Sequence, residues 1–501
     1  MKRKQLAAAA ALVAAAGLIA ACAGGDKLRV SSGTVLQNAT VVDTRSGKAT
    51  AGVSIVIDGG RILAVTDGPV ELSGSARAVD ATGKFVVPGF NDMHSHAMQY
   101  ANQSPTFWPL LIANGVTGIR EMSGTPDTIA AARRLNADSA AGRADAPEIL
   151  LATGPILVGI ATPEQGVQAV RATKAMGADF VKLFQASRDA TIAIFAEAKQ
   201  AGLPVAGHLP GAAVSGREAS DWGMRALEHY GAGYGIGLDC AGDETAIRAA
   251  LVGGKGAPTP YNPNIATYRV GDAPFYQRIL DTYSESKCVD LAKTFVRNDT
   301  WMVPTLIRLR TIADSGDPAF MNDPNLKYVD QARRQTWRAY GTATRRDIPT
   351  AAQATFVNYY PFQQRLTKLL KANGVRMLTG TEVNAVMVIP GFSLHQEFRE
   401  LAGAGLAPLE ILQMTTLNAA QFLGREATMG TVEAGKNADL VLLDANPVLD
   451  VANLDKVAGV VLKGRYLPAA ALDKMKADVA AAYANSTATV SARLADDGHR
   501  D

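Results

Sequence analysis

His94 and His96 stand two residues apart in the run Pro88-Gly89-Phe90-Asn91-Asp92-Met93-His94-Ser95-His96. Strand side chains alternate faces, so both imidazoles point the same way and can share one metal ion. Alone, His-x-His describes a polar surface strand equally well. Two further histidines change the weighting. His208 closes the run Leu203-Pro204-Val205-Ala206-Gly207-His208, and His229 closes Met224-Arg225-Ala226-Leu227-Glu228-His229. They are 21 residues apart, about one strand–helix repeat. Imidazole nitrogen suits zinc and similar divalent ions. Lys182 lies 26 residues before His208, inside the apolar run Phe180-Val181-Lys182-Leu183-Phe184. A charged lysine is costly to bury there. Either it snorkels from a sheet end, or it is neutral and carboxylated by carbon dioxide. The carbamate would be an anionic oxygen ligand able to bridge two cations.

These residues need strands that end on one face. The middle of the chain alternates short apolar runs with helical stretches. Eight candidate strands are Phe90 to His96, Val116 to Arg120, Ile149 to Thr153, Phe180 to Phe184, Val205 to His208, Arg225 to His229, Trp301 to Leu306 and Arg376 to Gly380. Such alternation implies parallel strands with helical crossovers. Eight of them predict an α/β fold of the (β/α)8 TIM-like barrel type, whose active sites are built from strand C-terminal ends. An open doubly wound sheet is the alternative, but no Gly-x-Gly-x-x-Gly follows the first candidate strand. Residues 35–88 and 426–468 carry short alternating runs broken by Gly, Asp and Asn, so both chain ends are expected to build one small β-sandwich domain around the barrel at 89–425. Insertions at about 231–300 and 308–367 are too long for plain connections and are expected over the barrel mouth. Residues 469–501 read as an Ala-rich helix and tail.

The chain begins with Lys2, Arg3 and Lys4, followed by an apolar, Ala-rich run from Leu6 to Ile19. That run is short for a membrane span and reads as a secretory signal over residues 1–21. Ile19-Ala20-Ala21-Cys22 resembles a bacterial lipobox, with Cys22 as the lipidated residue and 22–34 as a linker. The expectation is a lipoprotein of the bacterial cell envelope, facing the periplasm and held to a membrane by acyl chains on Cys22. The formal charge of +3 vanishes when the three leading basic residues are set aside. A neutral mature chain gives no electrostatic case for nucleic acid. Cys240 and Cys288 then remain. In an oxidising compartment they either pair or stay separate thiols, and sequence cannot place them within bridging distance.

Taken together, these motifs resemble the amidohydrolase superfamily, in its branch of imidazolonepropionase-like proteins and prolidase-type dipeptidases. The matching text runs from about Val35 to Tyr466. Besides the histidine and lysine segments it includes Gly115-Val116-Thr117-Gly118-Ile119-Arg120, Val303-Pro304-Thr305-Leu306, Gly380-Thr381, Ser393-Leu394-His395, Thr416-Leu417-Asn418-Ala419-Ala420 and Gly435-Lys436-Asn437-Ala438-Asp439-Leu440. The resemblance implies two divalent metal ions, zinc first, with manganese or cobalt as alternatives. It implies that His94 and His96 hold one ion together with the acid of strand eight, that His208 and His229 hold the other, and that carboxylated Lys182 bridges them beside a hydroxide. The implied reaction is hydrolysis of a small-molecule amide, a dipeptide or an N-acyl amino acid. One departure stands out. The family places aspartate after Gly-Thr, whereas this chain reads Gly380-Thr381-Glu382. Glutamate keeps the charge but adds a methylene, and a shift of about 1 Å at a reacting group can cost on the order of 100-fold. A catalytic Glu382 that also ligates metal is expected. The competing expectations are lactone, ester or organophosphate hydrolysis on the same site, and a metal-binding lipoprotein with weak turnover.

Other residues carry weaker signals. Tyr230 follows His229 and either polarises a substrate carbonyl or packs. Arg188 after strand four and His395 beyond strand eight are expected to meet substrate, against the plain readings of a solvated loop and a hydrogen-bonded loop histidine. Glu228 and Glu121 are expected to orient metal ligands from behind. A homo-oligomer is left open.

Overall fold

A computed structural model of the chain describes residues 28–98, 106–253, 270–383 and 385–497. The signal segment with Cys22, and His499, lie outside the described residues. No described helix is long and apolar enough to cross a membrane.

Seventeen strands follow one another along the described chain: β1 (Arg29–Val30), β2 (Thr34–Val42), β3 (Ala49–Asp58), β4 (Arg61–Asp67), β5 (Glu71–Leu72), β6 (Arg77–Asp80), β7 (Phe85–Pro88), β8 (Phe90–Ser95), β9 (Val116–Glu121), β10 (Glu148–Ala152), β11 (Val181–Leu183), β12 (Val205–Gly207), β13 (Met224–Glu228), β14 (Trp301–Val303), β15 (Leu440–Leu443), β16 (Val457–Leu462) and β17 (Arg465–Pro468). Both chain ends do meet in one small unit. Its strands run in the order β17-β16-β15-β7-β2-β3-β4, with β6 pairing the first half of β2. Hydrogen bonds join all eight into a single sheet, where two facing sheets were expected. The reason is the length of β2: its first residues pair in parallel with β6 and its last with β7, so one strand serves both halves. Alternation along β2 and β3 sends Leu36, Ile55 and Ile57 into one apolar cluster and Val35 and Val56 into another.

The central strands form two parallel sheets, β10-β9-β8 and β11-β12-β13-β14. Their near-continuous burial is what parallel strands covered on both faces require. Seven of the eight expected runs are regular strands, with ends shifted by up to three residues from the expected bounds. The eighth, around Arg376 to Gly380, is not a regular strand; it makes a single parallel bridge from Met377 to Met302. It still spans from one sheet to the other. Leu378 N donates to Met302 O at 3.0 Å on one side, and Met93 N donates to Thr379 O at 2.9 Å on the other. At the opposite edge, Asp179 N donates to Ala152 O at 2.9 Å, joining the end of β10 to the start of β11. Gly380 makes its close approach feasible: a Cβ there would sit 2.7 Å from His94 Cβ. Gly207 serves β12 in the same way, since a Cβ would fall 1.9 Å from Leu183 O.

Over their described residues, the two long insertions are helical and pack on each other. Tyr359, on the helix Thr350–Ala372, donates from its hydroxyl to Tyr234 O at 2.8 Å. Cys240 and Cys288 form a disulfide, their Cα atoms 4.9 Å apart and 48 residues apart in sequence. It ties the end of the helix Gly235–Asp239 to the helix Glu285–Asn298, with both cysteines fully buried. Closing a loop of that length stabilises a fold by about 2–4 kcal/mol. Replacing both cysteines by alanine is expected to lower the unfolding free energy by that amount in denaturant titrations. An unchanged midpoint would show that the bridge carries no stability.

Candidate metal centre

His94 and His229 end up side by side because β8 and β13 both terminate at the same face. Their ring centroids are 4.4 Å apart. Each is fixed from behind by a hydrogen bond at Nδ1. His94 Nδ1 lies 2.6 Å from Glu228 Oε2, and both side chains are fully buried. Glu228 is held in turn by Arg120, whose Nη2 donates to Oε1 at 2.6 Å while its Nε donates to Met93 O at 2.6 Å. Burial would raise the Glu228 carboxyl, but Arg120 and His94 outweigh it and hold it down to about 2. On the other side, Thr305 gives its hydroxyl proton to Pro304 O at 2.7 Å and so accepts from His229 Nδ1. Burial then lowers the His229 pKa to about 3, which keeps the ring neutral near pH 7 with its Nε2 lone pair facing forward.

Both Nε2 atoms face one carboxylate oxygen. Glu382 Oε2 lies 2.6 Å from His94 Nε2 and 2.8 Å from His229 Nε2. All three atoms are buried, and none makes a hydrogen bond of acceptable geometry. Ligand atoms of the three residues lie within 4.8 Å of one another. A neutral imidazole lone pair against a carboxylate oxygen repels unless a cation lies between them. The donor chemistry and the unpartnered atoms therefore fit a divalent metal ion. Glu382 reaches this place at φ 62, a left-handed value that is strained for a residue with a side chain. His229, Tyr230, Ala232 and Thr305 at the neighbouring strand ends share it. Such strain persists only where surrounding packing enforces it and gathers at working sites.

The remaining expected ligands surround this trio. His96 shares the face of His94, with ring centroids 5.6 Å apart. Its Nε2 is 3.7 Å from Glu382 Oε1 and its Nδ1 is 3.2 Å from Ser123 Oγ. Burial brings its pKa down to about 3. His208 follows β12, packs on Phe184 at 4.4 Å and meets the His229 ring edge-on at 5.1 Å. Burial, then Lys182 and His229, keep it well below its ordinary value. Lys182 is almost wholly buried and its Nζ has no hydrogen-bond partner. Burial lowers it to about 8, with Glu228 and Glu382 pulling the other way. Its ammonium is thus easily made neutral.

Three expected substrate contacts lie elsewhere. Tyr230 is 2 % exposed, and its hydroxyl contacts Thr367 Oγ1 on the long helix, so it packs. Burial raises its pKa. Arg188 is at the surface, donating to Ala213 O at 2.9 Å and to Glu218 at 2.6 Å, because it opens a helix and has no strand to aim it inward. His395 sits on the helix Phe392–Gly403 against Phe90, at the opposite end of β8 from the centre, with Nε2 2.9 Å from Asn114 O. Glu228 stands behind His94 as expected of an orienting group, whereas Glu121 receives Met98 N at 2.9 Å and touches no ligand.

Sequence reasoning missed three residues. Asp92 takes Thr381 Oγ1 at 2.6 Å, Thr381 N at 3.1 Å and His94 N at 3.1 Å, pinning the Glu382 turn to β8. It alternates with His94 and His96, so spacing could have found it. Arg120 could have been suspected as an arginine ending an apolar strand. Arg308, whose Nε is 3.7 Å from Glu382 Oε1, gives no signal in sequence.

Residues 349–467 match the model of the amidohydrolase family, a segment that holds Glu382 and none of the four clustered histidines. A bottromycin amidohydrolase superposes with a TM-score of 0.66 at 21% identity, covering 90% of each chain. The fold is that of the amidohydrolases. A Xaa-Pro dipeptidase with methionine bound in its active site shares this amidohydrolase fold, at TM-score 0.60 and 18% identity, over 87% of this chain and all of that one. Among curated sequences, a dihydroorotase of Thermoanaerobacter sp. is 45% identical over 65 residues, 13% of this chain. That match spans only 14% of the dihydroorotase's length.

Proposed function

We propose that this protein is a metal-dependent hydrolase that cleaves the C–N bond of a small amide, a dipeptide or an N-acyl amino acid. The observation that carries this reading is the convergence of His94 Nε2, His229 Nε2 and Glu382 Oε2, all buried and without hydrogen-bond partners. The two parallel sheets that present these strand ends support it, as does the match of residues 349–467 to the amidohydrolase family. Bound there, divalent ions such as zinc, manganese or cobalt would supply an acidified water and Lewis acidity toward the scissile carbonyl.

The chain's own residues divide the remaining work. His94, His96, Lys182, His208, His229 and Glu382 would hold the ions between them, with His94, His229 and Glu382 the three already gathered within ligand distance. Neutral Lys182 Nζ would add to carbon dioxide, forming an N–C bond and losing one proton, to become an anionic oxygen ligand. Glu382 would accept the proton of the attacking water and deliver it to the leaving amine. Glu228 and Thr305 keep both rings in the tautomer that presents Nε2. Lipidation at Cys22 would place this activity at the cell envelope.

The test is elemental analysis of protein purified from residue 22 onward, with bicarbonate present, beside an assay of dipeptides and N-acyl amino acids. About two divalent ions per chain, together with hydrolysis, are expected. A folded, metal-free protein without turnover would refute the reading.

A further inference from the structure

Arg308 is carried by the helix Leu306–Asp314, which begins just past β14 and Thr305, at the strand ends that build the metal centre. Its Nε is 3.7 Å from Glu382 Oε1, beyond hydrogen-bond range. That Nε is buried and has no hydrogen-bond partner. The side chain as a whole nevertheless keeps 17% of its surface, so solvent-borne molecules can reach the outer part of the guanidinium. Its charge acts on His96, His208, His229 and Lys182 alike. Arg120, the arginine behind His94, is already committed to Glu228 and Met93 O.

The helix bearing Arg308 is also anchored. Ile307 N donates to Glu397 Oε2 at 2.7 Å, on a fully buried carboxylate of the neighbouring helix Phe392–Gly403. This guanidinium keeps an unspent buried donor, and its ion-pair partner among the described residues, Glu382, is shared with His94 and His229 and stays beyond hydrogen-bond range. Leaving such a donor unmade is costly, and a carboxylate meets a guanidinium with two parallel bonds.

We propose that Arg308 binds a carboxylate of the substrate. The protein then selects acids, namely dipeptides or N-acyl amino acids with a free C-terminal carboxylate, over the corresponding neutral amides. This inference rests on the hydrolase reading above and names its substrate class.

The test compares a panel of N-acetyl amino acids with their carboxamides, by titration calorimetry and by turnover, in the full chain and in Arg308→Gln and Arg308→Lys. The unaltered protein is expected to bind an acid at least ~30-fold more tightly than its carboxamide, the effect of a desolvated charge pair. Arg308→Gln should abolish that preference. Arg308→Lys should restore part of it, since lysine keeps the charge but not the fork. Equal binding of acid and amide, no binding of any acid, or a preference that survives in Arg308→Gln would overturn the proposal. So would an Arg308→Gln variant that lowers kcat and leaves KM unchanged, which would make Arg308 a positioning residue for Glu382. Acid binding that needs Arg308 without any hydrolysis keeps this inference and refutes the hydrolase reading. Hydrolysis without acid preference does the reverse.

Discussion

Glu382→Gln is expected to lower amide turnover by roughly 10²- to 10⁴-fold, the usual worth of a general acid–base group, and to reduce the metal content of the purified protein. The glutamate supplies the only carboxylate oxygen at ligand distance from both His94 Nε2 and His229 Nε2 among the described residues. An amide in its place brings no negative charge and cannot accept and return a proton. The companion variant, Glu382→Asp, decides what the extra methylene does. Shortening the side chain withdraws the carboxylate by about 1.5 Å. In the present geometry Oε2 already touches both imidazoles, so the shorter acid is expected to lose about 100-fold. Metal analysis and steady-state kinetics check both. A gain in turnover for Glu382→Asp would instead mean that glutamate handicaps this site, and the protein would then be read as a weakly active metal binder.

Glu228→Ala is expected to produce the largest loss of stability, about 3–5 kcal/mol, because it strands a charge in the interior. Arg120 is 1% exposed and has Glu228 and Met93 O as its partners, while His94 Nδ1 has Glu228. Metal affinity should fall by roughly 10- to 100-fold once His94 loses the group that orients it. Denaturant titration and metal titration read the two effects separately. Replacing Arg120 and Glu228 together by apolar residues should recover most of the stability and none of the metal affinity. A Glu228→Ala protein as stable as its parent would rule out the buried ion pair as a structural element. The same pair sets an acid limit. Glu228 is held at about 2 against an ordinary value of 4.5, so its contribution is complete above 4.5 and is lost as pH falls toward 2.

The sequence by itself determined seven of the eight central strands and which face would do chemistry. Strand periodicity and apolar runs are local properties, so His94, His96, His208 and His229 could be placed at strand ends from spacing alone, and Lys182 could be singled out as a cation in an apolar strand. Asp92 was within reach by the same alternation. The union of both chain ends in one domain was also legible, because each end repeats the same β-rich texture. Only the tertiary structure decided which of these groups meet. His94, His229 and Glu382 come from segments more than a hundred residues apart, and their convergence depends on Gly380 lying against His94 and on a left-handed turn at Glu382. No periodicity encodes either. Arg308 was invisible for the same reason: one arginine on an ordinary helix gains its meaning from the carboxylate across the gap. Tyr230, Arg188 and His395 erred in the opposite direction, since neighbours in sequence to functional segments turned toward Thr367, Glu218 and Asn114 once packing fixed their directions. The disulfide between Cys240 and Cys288 was likewise settled in space, where 48 residues of chain return to within 4.9 Å. Short-range physics wrote the parts, and long-range packing chose their partners, because a side chain's charge and reach act through distance in the fold and not through distance along the chain.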